Sequence, residues 1–345
     1  MKKTLLFACM LPMAATVMAD EDDKDKSWLH TAQVEMRADW QRDWIDGTKN
    51  ADNSGFSGRY LQVILKGNIS DKVSYAYRQR FSKSFEGSGL FNATDWVYLT
   101  YSPNEKWQFS GGKQTVAIGG YEWDYAPIDI YQYSEYCNNV LCYQIGASAI
   151  YILDKNNYLQ AQVCQTPFRT NAPDMYGYSL KWEGDHGVYN NIWSVNMFEY
   201  LPGKFINYIA LGNKLKFNGG HFLFDFTNRY SGGYGNGFLD DFTITSELHV
   251  QPVKELNIFA KYGYDVNKGN GGDYLVFDGT EQHHAGVGVE YFPLHGRKDL
   301  RLHANVFHTW GENTNPDGGV LQDKQTTFNI GMTLRADLLN IKLKK

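Results

Sequence analysis

Between Ala32 and Trp40 apolar and polar residues alternate at every step. Ala32, Val34, Met36, Ala38 and Trp40 occupy one parity, and Gln33, Glu35, Arg37 and Asp39 the other. Successive side chains of an extended strand point to opposite faces, so this segment predicts a strand with one apolar face and one charged face. The rhythm returns along most of the chain. Val73, Tyr75 and Tyr77 alternate with Ser74, Ala76 and Arg78, and Arg80 continues that polar face. Leu159, Ala161 and Val163 alternate with Gln160 and Gln162; Phe222, Phe224 and Phe226 oppose Asp225, Thr227 and Arg229. Further on, Leu256, Ile258 and Ala260 oppose Asn257 and Lys261, Leu302, Ala304 and Val306 oppose Arg301, His303 and Asn305, and Ile330, Met332 and Leu334 oppose Asn329, Thr333 and Arg335. Around 97–101 and 107–109 both parities carry apolar residues, which leaves the facing of those strands open.

About sixteen strands fit this rhythm, an even number, as a closed bacterial barrel requires. Connections near 70, 103, 155, 185, 218, 253 and 295 are short, and those near 48, 88, 128, 170, 203, 236, 274 and 318 are mostly longer and rich in Gly, Asn and Asp. A soluble sandwich also alternates. The alternating loop lengths and the aromatics near strand ends favour lipid outside and water inside. The expected fold is all-β: an antiparallel transmembrane β-barrel of about 16 strands, with short periplasmic turns and long outer loops.

Composition agrees with that reading. Aromatics make up 15% of the 345 residues, with 24 Tyr, while Gly is frequent (34) and Pro scarce (9). Lys2 and Lys3, the apolar run from Leu5 to Val17, and Ala19 read as a signal peptide over 1–19. Residues 20–345 are then a single barrel, placed in the outer membrane of a Gram-negative type envelope. No later segment has the roughly twenty consecutive apolar residues of a spanning helix. A net charge of −5 argues against a nucleic-acid partner. After cleavage three cysteines remain, Cys137, Cys142 and Cys164. Export permits a bridge between the first two; three unpaired thiols are the alternative.

A barrel of about sixteen strands leaves an aqueous channel. Its inward parity carries charges of both signs. The longest connection, 116–142, is too aromatic to project into water and is expected to fold into the lumen and narrow it. Its acids are Glu122, Asp124, Asp129 and Glu135; the facing wall would offer Arg37, Arg78, Arg80 and Arg229, with Arg301 among the other inward bases. Opposed charges across a constriction set a transverse field that filters polar solutes. A loop packed on the barrel rim or on a trimer neighbour is the alternative.

Tyr60 to Ile69, Tyr75 to Phe81, Trp96 to Tyr101, Trp107 and Gly112-Lys113-Gln114 resemble the early strands of the phosphate-selective porin O and P family, most sharply over roughly residues 57–125. The resemblance implies a homotrimeric outer-membrane porin and puts Lys113 at the start of the constriction. Four acids in the constriction loop weigh against a phosphate filter, which needs convergent Arg and Lys. The expected function is passive diffusion of small hydrophilic solutes and ions. A phosphate- or anion-specific channel is the alternative, and an enzymatic or adhesive barrel a further one. The family's usual aromatic C-terminus is replaced here by Ile341-Lys342-Leu343-Lys344-Lys345.

No G-x-S-x-G or H-E-x-x-H motif occurs, no cofactor is implied, and the chain is not expected to be an enzyme. His221 and His249 share the inward parity on neighbouring strands and are a weak candidate pair for zinc or nickel.

Overall fold

The computed structural model describes residues 27–83, 89–168, 172–230, 237–269, 275–316 and 324–339. The leader expected over 1–19 and the lysine-rich end 341–345 lie outside them. The first eight barrel strands are β1 (Thr31–Ile45), β2 (Gly55–Ser70), β3 (Val73–Arg80), β4 (Thr94–Asn104), β5 (Trp107–Thr115), β6 (Tyr143–Asp154), β7 (Asn157–Gln165) and β8 (Tyr176–His186). The second eight are β9 (Tyr189–Leu201), β10 (Lys204–Phe217), β11 (Gly220–Tyr230), β12 (Asp241–Val253), β13 (Leu256–Asn267), β14 (Glu281–Tyr291), β15 (Leu300–Glu312) and β16 (Gln325–Asp337). A two-residue strand, Thr48–Lys49, extends the first hairpin beyond the rim.

Each strand pairs antiparallel with its sequence neighbours, and β1 closes the cylinder on β16, in register from Gln33–Asp337 to Ile45–Gln325. Closure leaves no edge strand and satisfies the ladder hydrogen bonds internally, the condition for crossing lipid with strands. The outer face is bare hydrocarbon: Leu61, Leu99, Phe109, Val195, Leu215 and Val287 are all exposed. The two strands of undecided facing put Val97, Leu99, Tyr101, Trp107 and Phe109 outward.

At one end the connections are the two-residue turns 71–72, 105–106, 155–156, 187–188, 218–219 and 254–255, with 292–299 longer. The opposite end carries the long connections, with one exception. Residues 202–203, expected among the outer loops, make a tight turn between β9 and β10.

The lumen is not polar throughout. Phe198, Tyr200, Ile206, Tyr208 and Ala210 line the inner wall of β9 and β10, and Cys164 that of β7. Against them pack Val116, Ile118, Trp123, Tyr136, Cys137 and Val140 from the 116–142 connection. A half-barrel with a polar inner wall thus faces an apolar core built inside the other half. Burying each such side chain contributes about 1.5–3 kcal/mol, so this core anchors the loop in the lumen.

Candidate functional site

Loop 116–142 enters the lumen over glycines. Gly120 has φ 104°, a conformation that disfavours L side chains, and its N–H donates to the Ile192 carbonyl (3.0 Å). A Cβ on Gly212 of β10 would lie 2.7 Å from the Gly120 Cα, so loop backbone and wall backbone meet where only glycine fits. Two short helices follow, α1 (Tyr121–Asp124) and α2 (Glu135–Asn139), joined through a 3₁₀ turn at Pro127–Asp129.

Buried wall carboxylates receive the N-termini of both helices. Asp225 Oδ2 accepts from the Glu122 N–H at 2.7 Å, and Asp265 accepts from Glu135 N–H at 2.9 Å and Tyr136 N–H at 3.4 Å. A carboxylate there satisfies donors that the helix leaves open. Glu122 in turn pairs with Lys261 of β13 (2.7 Å) and accepts from the Ser134 hydroxyl (2.5 Å).

The far edge of the loop is held by a second set of ion pairs. Asp129 pairs with Arg301 of β15 (2.9 Å) and with Arg335 of β16 (2.7 Å). Arg301 also reaches Glu290 (3.1 Å), and Arg335 pairs with Glu35 directly across the β1–β16 register (2.9 Å). Beside this clasp the Tyr131 hydroxyl donates to Glu290 (2.7 Å), and the Tyr131 ring stacks on Phe259 (centroids 5.2 Å apart). The Arg37 guanidinium lies 4.6 Å from the Tyr131 ring centroid. Arg37 is fixed by Asp39 (2.8 Å) and donates to the Ile130 carbonyl (2.9 Å).

The sequence-expected residues therefore divide. Glu122, Asp129 and Arg301 meet in loop-to-wall ion pairs, and Arg37 touches loop carbonyls rather than loop acids. Arg78 and Arg80 gather instead, with Lys83, on the buried Asp95 (3.1, 2.8 and 3.0 Å). Arg229 is fully buried and pairs with Asp241 of β12 (2.7 Å) beneath the Tyr136 ring of the loop. Asp124 is exposed to a cavity that Glu183 and Lys214 also line. Glu135 is buried and accepts from Asn139 (2.8 Å) and Asn315 (3.0 Å).

Lys113 is placed away from the constriction. It sits opposite Val97 and Ile145, both exposed on the outer surface, and shares their face. A helical turn over Gly89–Ala93 covers it, and its ammonium donates to the Phe91 carbonyl at 3.0 Å. The alternation passes unbroken through Gly111 and Gly112, so parity puts Lys113 outside.

Lys261, Arg335, Glu290, Asp225, Asp265 and Asp95 were not singled out from sequence as constriction residues. Inward parity marks all but Asp95, which sits at a register shift between β3 and β4.

His221 and His249 do sit opposite each other, but their rings stack with centroids 4.5 Å apart. His249 contacts Glu247 through Nε2 and Asn257 through Nδ1, so the two rings do not converge on one point. Among the described residues no group of three or more His, Cys, Asp or Glu side chains is arranged to hold a metal ion. The three cysteines are free thiols, and burial pushes the Cys137 thiol well above its ordinary value, which keeps it protonated and unreactive.

Two cavities flank the clasp. One, of about 260 Å³, lies toward the long loops and includes Gln41, Arg59, Asn305 and Asn329. The other, of about 250 Å³, lies toward the turns and includes Glu247, Lys261, Lys298 and Arg301. Ile130, Tyr131 and Phe307 line both, so these three side chains stand between them.

Residues 31–187, which span β1 to β8, match the family model described as Phosphate-selective porin O and P. No curated protein sequence matches the chain. Among solved structures, the chain is similar to an anion-selective porin from Comamonas acidovorans, with TM-score 0.63 and 12% identity over 89% of this chain and 99% of that one. It is also similar to the trimer form of OmpT of Vibrio cholerae (TM-score 0.62, 14% identity, 90% and 100% covered). A third similar structure is the outer-membrane channel DcaP of Acinetobacter baumannii (0.61, 13%, 89% and 96%). Family match and fold together make the chain an outer-membrane β-barrel channel for small solutes.

Proposed function

We propose that this barrel, whose residues 31–187 carry the porin O and P pattern, passes small hydrophilic solutes by diffusion along one side of its lumen, as a homotrimer. The observation that carries the reading is the pair of cavities on either side of Ile130, Tyr131 and Phe307. The long-loop cavity lies along β1, β2, β15 and β16 and the turn-side cavity along β11 to β16, while the apolar core closes the side of β9 and β10. Solute passes beside the clasp, past Tyr131 and Phe307, and is selected mainly by size, because the charges at the narrowest point are spent on one another. The trimer rests on the family pattern and on the OmpT structure described as a trimer form. We assign the chain no reaction: the family match over residues 31–187 and the porin-like fold support a passive channel. Purified protein in a planar bilayer is expected to give ohmic conductance in threefold steps; a folded barrel without conductance overturns the reading.

A second reading, a channel with anion preference, is favoured by Arg78, Arg80 and Lys83 around the single carboxylate of Asp95. One structural neighbour is described as anion-selective. The reversal potential under a potassium chloride gradient separates the two readings: a large shift toward the chloride potential supports the second.

A further inference from the structure

We propose that the cavity on the long-loop side is a subsite for a neutral, hydroxyl-rich solute of the mono- or disaccharide class. The inference rests on the channel reading above and names what that channel prefers.

The polar lining of this cavity is largely amide. Gln41, Asn305, Gln325 and Asn329 all line it, and all four are buried. A carboxamide both donates and accepts, as a sugar hydroxyl does, so the two match without a net charge on either side. Tyr131, stacked on Phe259 and covered by Arg37, closes the floor of the cavity, and Tyr60 and Tyr133 add aromatic surface with polar tips. Such surface suits the C–H faces of a pyranose ring.

Charged ligands find no matching site here. An anion needs cationic groups without competing acids. Arg37 is held by Asp39 at 2.8 Å, and Arg59 reaches Asp39 at 3.6 Å and donates to Gln41. A cation needs an open carboxylate, yet Asp43 accepts from Gln325 (2.9 Å) and Thr327 (2.8 Å) and is fully buried. Asp39 accepts from Asn329 (3.0 Å) and contacts His303 (3.0 Å). Gly331 makes room for this cluster, since a Cβ there would lie 2.3 Å from Asp39 Oδ1. The buried acids thus orient Gln325 and Asn329 instead of binding solute, Asn329 in turn accepts from Asn305 (3.4 Å), and an amide already oriented loses little freedom when solute arrives.

The test uses the full chain reconstituted in planar bilayers, with maltose, glucose, sodium phosphate and arginine chloride titrated on the long-loop side. Maltose is expected to block the ion current saturably in the millimolar range, while phosphate and arginine give no saturable block. Asn305→Leu is expected to weaken the maltose block about tenfold, the loss of one buried hydrogen bond to the solute. Tyr60→Leu is expected to weaken it as well, with the heat-modifiable gel mobility of the folded barrel as the check on folding in both variants. Normal conductance without a maltose block overturns the subsite and leaves the channel reading standing. A phosphate block at equal or lower concentration than maltose also overturns it. Absence of conductance from a folded barrel removes the channel reading and the subsite with it.

Discussion

Asp129→Ala removes the hinge of the clasp at the edge of the loop that the apolar core does not reach. Its carboxylate joins Arg301 and Arg335, at 2.9 and 2.7 Å. Each charge-assisted contact contributes about 1.5 kcal/mol when well buried. Here the contribution is smaller, because the Asp129 and Arg335 side chains are 29% and 27% exposed. Both arginines also keep a second acid, Glu290 at 3.1 Å and Glu35 at 2.9 Å. The net loss is then about 1–2 kcal/mol, a factor of about 5–30 in the ratio of clamped to released loop.

Single-channel recording reads that ratio directly. The variant is expected to spend about 5–30 times more of its time at altered conductance levels, with a higher mean conductance. The parent channel should move the same way as salt is raised, since screening weakens partly exposed pairs. Ile118, Trp123 and Tyr136 stay in place, so the heat-modifiable gel mobility of the folded barrel should not change. Unchanged noise and conductance in Asp129→Ala would refute the clasp and leave the loop held by its apolar core alone.

Other perturbations probe other parts of the lumen. Tyr131→Ala opens the partition shared by the two cavities and should speed liposome swelling most for the larger sugars; equal gains for all solutes would argue against a partition there. Arg80→Gln with Lys83→Gln leaves Asp95 with Arg78 alone and should shift the reversal potential toward cation preference. An unmoved potential would place that cluster off the conducting path. Lys113→Met should leave selectivity unchanged and lower the temperature at which the folded band is lost, because it frees the Phe91 and Asn92 carbonyls and the Phe91 ring on the outer face.

The barrel was legible because two-residue periodicity is a local signal with one consequence. Glu35, Arg37 and Asp39 face inward as their parity requires, and Val34, Met36, Ala38 and Trp40 face lipid. The place of Lys113 was not legible, because apolar residues on both parities leave the facing of its strand open and only the pairing with Val97 fixes it. The constriction was only half legible. That loop 116–142 enters the lumen follows from its aromatics, but which wall it meets depends on where Gly119 and Gly120 let it cross, and on a register that no local pattern encodes. Thus Lys261 and Arg335, on strands far away in sequence, receive the acids that were assigned to Arg78 and Arg80. The apolar inner wall went unrecognised because Phe198, Tyr200, Ile206 and Tyr208 flank the tight turn at 202–203, where both parities are apolar.

The pairing of charges changes what the constriction does. Opposed rows of free charge across a gap would orient every passing dipole and hold back ions of one sign. Here the loop acids Glu122 and Asp129 touch their bases, and a contact pair a few ångströms long leaves only a short-range field. The charge therefore fixes the loop more than it filters solute. Selection then falls to what remains open: the gap beside Tyr131, and the amides and phenol rings above it. On the proposed reading, size and hydrogen-bonding capacity, not sign of charge, would decide passage along that side. The wall patch of Arg78, Arg80 and Lys83 sets three bases against the single acid Asp95, so a charge preference of this channel should trace to it.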